Sequence, residues 1–438
     1  MHALVDSANF FCSCERLFRP DLARRPVVVL SNNDGCVIAR SEEAKALGIA
    51  MGAPFFKERE RLKAAGVAVF SSNYALYGDL SNRVRHALEL FTPDVEPYSI
   101  DESFLLLPKD EAPAELSHRI RKTVWRRCGI PVRVGAGPTK TLAKIANRRA
   151  KKTDGVCIIA DEFDRERLLA ETNVGEVWGV GSRIGPKLRQ RGIDTALSLS
   201  RMSDIDIRRD FGIVLLRTVH ELRGISCLPV TQQPPPRRSI THSRSFGRAV
   251  TREADLREAV ATFVSRAAAK ARRHKLAPKA LHVFVRTGRH GKGQSYANAL
   301  TLTLPEATHY TPALVRAAQA GLGRLWKPGI RYKKAGVILL DLVPEAHVQT
   351  NLFHRHDPRH AKIMSVVDDL NAKFGPGALR IARAGRLAID PKHPDRHVPT
   401  RPAWQLSMQQ RSPRYTTEWT GIATLSLRSC GNVATGNS

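Results

Sequence analysis

The chain has 438 residues, a net charge of +29 and a pI near 10.4. That length allows two to four domains with cores of their own, and that charge draws polyanions and strengthens nucleic-acid binding at low salt. No apolar run is long enough to span a bilayer, and the chain opens on a strand instead of a signal peptide. Of the seven cysteines, Cys12 and Cys14 stand too close for a metal knuckle and nothing downstream completes a set, so reduced cytoplasmic thiols and no zinc are expected.

In chain order, residues 2–10 read as a strand whose apolar run, Ala3-Leu4-Val5, ends on Asp6, with Asn9-Phe10-Phe11 leading toward a helix. Residues 27–30 form a β-branched strand, and a polar turn, Ser31 to Gly35, returns it to a second strand at 36–39. A helix over 41–47 follows, capped by Ser41 and ended by Gly48. Residues 67–70 make another short strand and 76–91 an amphipathic helix.

Val95, Tyr98 and Ile100 then read as a strand, with 104–107 as its apolar return. Asp101 and Glu102 stand side by side between these apolar flanks, where carboxylates without a counter-charge would take up protons. A tight turn alone would account for one Asp. With Asp6 at the end of a second strand, three carboxylates converge. Such a set suits a pair of Mg²⁺ ions roughly 3.5–4 Å apart, as used for in-line phosphoryl transfer.

Residues 120–128 are helical and 132–137 are a strand running into glycine. A helix over 138–152 is N-capped by Thr139 and buries Leu142 and Ile145. Lys140, Lys144, Asn147 and Lys151 fall on one stripe of it, which is either a solvated face or, through Lys144, a phosphate contact. Residues 165–227 read as a separate small helical unit. Its Trp178-Gly179-Val180-Gly181 string and helices at 184–190 and 196–199 form a glycine hairpin suited to a non-specific DNA clasp. Residues 231–238, with three consecutive prolines, are a linker.

Strands at 239–246, 281–286, 299–304 and 333–342, with helices at 253–274 and 313–325, make a small basic α+β domain. From residue 344 the pattern weakens into a mobile basic tail with a helix at 361–374.

With Asp6, Phe10-Phe11, Ser99-Ile100-Asp101-Glu102 and the Lys144 helix in hand, the chain resembles a Y-family (translesion) DNA polymerase, of the UmuC type rather than the DinB type. Three strings carry the closer match: Ser31 through Arg40, Ser72-Asn73-Tyr74-Ala75-Leu76-Tyr77 and Ser412-Pro413-Arg414-Tyr415-Thr416-Thr417. The resemblance implies an α+β multidomain, right-hand polymerase fold. The palm would be 1–22 and 71–165, the small fingers 23–70 and the helical thumb with its helix-hairpin-helix 166–230. A linker at 231–239, the little finger at 240–343 and a basic C-terminal tail at 344–438 would complete it.

By the same likeness Asp6, Asp101 and Glu102 hold the two Mg²⁺ ions, assisted by the carbonyl of Ser7. Phe10 and Phe11 are nucleotide-binding, Phe11 as the steric gate that leaves no room for a ribose 2′-OH, and Arg40, Lys45 and Lys144 meet the triphosphate. Glu42 stands where some relatives carry a tyrosine for that purpose. Gly179, Gly181 and Arg244 would touch DNA. Gln349, Leu352 and Phe353 resemble a sliding-clamp peptide, a Gln hydrogen bond with two apolar anchors.

The implied activity is error-prone, proofreading-free DNA synthesis opposite damaged templates in the SOS response. The implied partners are primer–template DNA and dNTP, the clamp, a UmuD-type dimer and a RecA-type recombinase filament, in the bacterial cytoplasm at the nucleoid. A clamp-tethered accessory subunit without chemistry and a DinB-type stand-alone polymerase are the competing readings. The presence of all three carboxylates opposes the first of these. Residues 421–438 depart from the family pattern and are given no role.

Overall fold

Ala3, Leu4 and Val5 leave no polar face, and a strand of that kind belongs inside a sheet. The computed structural model puts it there. The structure describes residues 1–231, 236–288, 295–349, 357, 359–375, 377–385, 387–390, 393–399, 404, 408–413 and 415–417. It divides into two compact units, 1–234 with 409–438, and 235–408.

In the first unit, β1 (His2–Ser7) leads to α1 (Phe10–Leu17), then β2 (Val27–Leu30), β3 (Val37–Arg40), α2 (Glu42–Ala46), α3 (Phe55–Ala64) and β4 (Ala68–Ser71). Next come α4 (Tyr74–Leu88), β5 (Val95–Pro97), β6 (Glu102–Leu106), α5 (Pro113–Cys128), β7 (Val132–Gly137), α6 (Lys140–Ala150) and β8 (Val156–Ile158). Helices α7 (Glu162–Glu171), α8 (Ile184–Arg189), α9 (Ala196–Ser200), α10 (Asp204–Phe211) and α11 (Ile213–Leu222) follow. The main sheet has the order β5-β6-β1-β7-β8, with β1 central and antiparallel to both neighbours. A second, three-stranded sheet, β3-β2-β4, has its own small core around Val28, Leu30 and Val37.

The first strand stops at Ser7, short of the expected residue 10, because Asn9 takes a left-handed φ of 47° and α1 begins at Phe10. Ser41 caps α2 through Ala44 N–H, and Thr139 caps α6 through Leu142 N–H, both as expected. Helix α3 had no sequence signal, since its Lys-Glu-Arg-rich surface buries only Leu62. The helical segment at 165–227 is not separate. Its core includes Leu142, Ile145 and Ala146 of α6, so one helix serves the sheet on one face and the helical cluster on the other.

The second unit contains β9 (Ile240–Val250), α12 (Glu253–Arg273), β10 (Leu276–Arg286), β11 (Ala297–Thr303), α13 (Thr311–Leu325), β12 (Tyr332–Pro344), α14 (Arg359–Phe374) and the hairpin β13 (Leu387–Asp390) and β14 (His393–Pro399). Its antiparallel sheet, β11-β10-β12-β9, shares one core with α12 and α13. The reading of a mobile tail past 344, apart from the helix at 361–374, needs correction. That helix, α14, is held by Arg272, whose guanidinium makes two 2.7 Å hydrogen bonds to Asp368, and residues 409–413 and 415–417 pack within the first unit. Among the described residues no helix is long and apolar enough to cross a membrane.

Candidate active site at the acidic sheet edge

Asp6 and Glu102 are direct cross-strand partners in the β1–β6 ladder, which puts both carboxylates on one face of the sheet. Asp101 is one residue earlier, and its carbonyl accepts from Ser7 N–H at 2.8 Å. Ser99 shapes the turn: its hydroxyl donates to Asp101 Oδ1 at 2.5 Å and accepts from the Asp101 and Glu102 N–H groups at 3.3 and 3.1 Å. A Ser two residues before the Asp therefore fixes where the acids point.

Asp6 is 8 % exposed, and burial pushes its carboxyl above the usual range. Lys151 opposes that rise, while the charges of Glu102 and Asp101 add to it. The Lys151 ammonium is 3.4 Å from Asp6 Oδ2. Lys144 is 3.1 Å from both oxygens of Glu102 and 4.4 Å from the centre of the Tyr98 ring. Among the described residues no three His, Cys, Asp or Glu side chains gather into a ready-made metal cage. Each acid has a partner of its own instead: Lys151, Lys144 or Ser99. The donor set nonetheless fits a hard divalent cation, because it is all oxygen, anionic and mutually repelling at Asp6.

Helix α6 delivers both lysines because glycine lets it lie directly on β7. A Cβ on Gly135 would stand 1.9 Å from Asn147 N and 2.6 Å from Ala143 O. Asn147 Nδ2 donates to Leu4 O at 3.0 Å and Arg133 O at 3.1 Å, tying the helix to β1 and β7 together. Lys140 is 4 % exposed and donates to Glu96 at 2.6 Å and to the Pro229 carbonyl at 2.8 Å. Lys140, Lys144 and Asn147 of the polar stripe thus face protein along the acidic sheet edge, so the solvated-face reading holds only for Lys151, which stays exposed while it reaches Asp6.

Phe10, expected at the nucleotide, lies in the core instead, 4 % exposed, because it opens α1 on the helix's apolar side. Phe11 is half-buried and stacks on Tyr77 at 4.5 Å, with Tyr74 edge-on at 6.0 Å. Lys45 donates to Asn9 Oδ1 at 2.7 Å and to Glu42 at 2.9 Å, and Arg133 Nη2 is 3.5 Å from the same carboxylate. Arg133 is also the β7 partner of Asp6, so this network adjoins the acidic edge. Arg40 instead donates to the Ile49 carbonyl at 2.5 Å. Sequence reading missed Arg133, Asn9 and the pairing of Lys151. The left-handed Asn9 between a strand and a helix was the available signal.

Gly179 has φ 88° in the turn before α8, and Gly181 O accepts from Gly185 N–H at 2.9 Å. Arg244 sits half-buried on β9, where burial lowers its pKa. Gln349 is exposed beyond β12, while Leu352 and Phe353 lie outside the described residues, as do 421–438.

The chain matches the impB/mucB/samB family over residues 5–148, that family's C-terminal domain over 237–352, and a domain of unknown function, DUF4113, over 361–425. It is 45% identical to the protein UmuC of Salmonella typhimurium, covering 96% of this chain and 99% of that one. It is 38% identical to MucB of Escherichia coli over 98% of this chain and 100% of the relative. DNA polymerase IV 2 of Halalkalibacterium halodurans is 27% identical over 86% of this chain and 93% of its own. Among solved structures, a Y-family DNA polymerase chimera of Dbh and Dpo4 superposes with a TM-score of 0.65 at 20% identity, covering 78% of this chain and 99% of that one.

Proposed function

The chain belongs to the impB/mucB/samB family as a UmuC-like Y-family DNA polymerase, and on that premise we propose how its residues divide the work of translesion synthesis. The reaction joins the primer 3′-oxygen to the α-phosphorus of a dNTP and breaks the α–β phosphoanhydride bond, releasing pyrophosphate. The observation that carries the reading is the Asp6–Glu102 cross-strand pair with Asp101 one residue away.

These three carboxylates, with the Ser7 carbonyl, are the ligands for two Mg²⁺ ions, which when bound supply Lewis-acid polarisation of the phosphoryl group and a more acidic primer hydroxyl. Phe11, backed by Tyr77, closes the place of a ribose 2′-OH, and Phe10 anchors α1 in the core behind it. Arg40, Lys45 and Lys144 offset triphosphate charge, Arg40 giving up for it the hydrogen bond it donates to the Ile49 carbonyl. The domain plan assigns 1–22 and 71–165 to the palm, 23–70 to the fingers, 166–230 to the thumb and 240–343 to the little finger. Gly179, Gly181 and Arg244 face the primer–template. Gln349, Leu352 and Phe353 form the clamp peptide, and the remaining C-terminal region meets a UmuD-type dimer and a recombinase filament at the nucleoid.

The accessory-subunit alternative has no support from these relatives. Primer extension by the purified chain across an abasic template, with and without a UmuD-type partner and an activated recombinase filament, tests the proposal. Mg²⁺-dependent bypass stimulated by both partners is the expected result. Equal bypass by the chain alone favours a stand-alone enzyme, and no extension under any condition contradicts the proposal.

A further inference from the structure

The three sequence strings at 31–40, 72–77 and 412–417 meet on the first unit, although more than three hundred residues separate the last from the others. Gln409 N–H donates to Asp34 Oδ2, and Gln410 exchanges two 3.0 Å hydrogen bonds with Ser71. Asn73 Nδ2, in a side chain that is 2 % exposed, donates to Ser412 Oγ at 2.9 Å and to the Pro413 carbonyl at 3.0 Å. Ser412 Oγ in turn donates to Glu15 Oε1 at 3.1 Å, and the same oxygen accepts from Tyr77 Oη at 2.6 Å. Farther along, Tyr415 stacks on Phe18 at 4.3 Å and Thr416 donates to Asp79 at 2.6 Å.

Glu15 has no solvent exposure, so its orientation is set by the donors that reach it. One donor is Tyr77, whose ring is the platform for Phe11. The other is Ser412. An unbroken chain of contacts therefore runs from the C-terminal segment through Glu15 and Tyr77 to the half-buried aromatic ring at the nucleotide side.

We propose that residues 409–413 and 415–417 act as a strap that positions Phe11: by fixing Glu15 and thereby Tyr77, the Ser412 hydroxyl and its Asn73 anchor set the clearance that discriminates deoxyribose from ribose. The proposal rests on the reading of Phe11 as the sugar-facing ring. A pocket wall placed to a few tenths of an ångström is what sugar discrimination requires, and such placement comes from the shell behind the contacting group. Ser412 and Asn73 are positioning residues and need not touch nucleotide.

The test is the ratio of kcat/KM for dNTP to that for rNTP in the full-length chain. Ser412→Ala and Asn73→Ala are each expected to lower it about 3- to 10-fold, a change on the order of one hydrogen bond's net free energy, while Ser412→Thr, which keeps the hydroxyl, retains the parent ratio. Should either alanine variant not fold, Thr416→Val loosens the far end of the strap and reads the same ratio. A parent-like ratio in these variants, with only a lower melting temperature or lower kcat for both sugars, overturns the proposal. Phe11→Ala is run beside them. An unchanged ratio there defeats the reading of Phe11 itself, whereas a relaxed ratio there with unchanged strap variants defeats the strap alone.

Discussion

At the scale of single residues, the site is a contest between cations. On the proposed metal assignment, Lys144 and Lys151 hold two of the three carboxylates that divalent ions would hold, Glu102 and Asp6, so the chain offsets those two acids with its own lysines. Lys144→Ala leaves Glu102 without that partner and should destabilise the metal-free chain by about 1–2 kcal/mol, less than for a fully buried pair because both side chains keep some exposure. Millimolar Mg²⁺ should restore much of the loss in thermal melts, and no restoration would count against metal binding at Glu102. Asp6 gives a pH signature. Its folded-state pKa is raised, so its contribution to stability is full below the ordinary carboxylate pKa and is lost as pH rises through the raised value. Asp6→Asn should therefore raise the melting temperature of the metal-free chain at neutral pH, with the gain fading as pH falls toward the ordinary Asp range. A gain that grew on acidification would reverse the sign of this argument.

At the scale of elements, α6 is the part on which the site depends. Its N-cap and its apolar positions are legible from Thr139, Leu142 and Ile145 in the sequence alone. Its burial is not, because a Lys-Lys-Asn-Lys stripe is locally indistinguishable from a solvated one, and only the acids of β1, β5 and β6 opposite it decide the matter. Gly135 is where the helix meets the sheet. Gly135→Ala pushes a Cβ into the backbone of α6 and should cost about 1–3 kcal/mol or more, with both lysines displaced. Denaturant unfolding together with the extension rate reads this; a fold and rate like those of the parent would show that the helix has slack. The helix α3 escaped sequence reading for a related reason, being mostly charged with only Leu62 buried, whereas α10 and α11 were covered only by the broad helical reading of 165–227, without bounds of their own.

At the scale of the whole molecule, charge and chain connectivity matter most. A net charge of +29 implies that template binding weakens steeply with salt, roughly linearly in log–log form. Arg244→Ala should shallow that slope by about 1 if the arginine neutralises one phosphate, and an unchanged slope would remove it from the interface. The α+β domain order and the acidic hairpin were legible because each is a local pattern of alternation and turn chemistry. The return of 409–413 and 415–417 was not, since that segment has no periodicity and its contacts are with Glu15, Asp34, Ser71 and Asn73, all distant in sequence. The account as a whole stands on three acids working as one centre. The most direct measurement is single-nucleotide addition by the Asp101→Ala/Glu102→Ala double variant, beside its affinity for the same primer–template. The expected result is loss of addition with binding nearly unchanged, because Lys and Arg make most phosphate contacts. Undiminished addition by that variant would contradict the account.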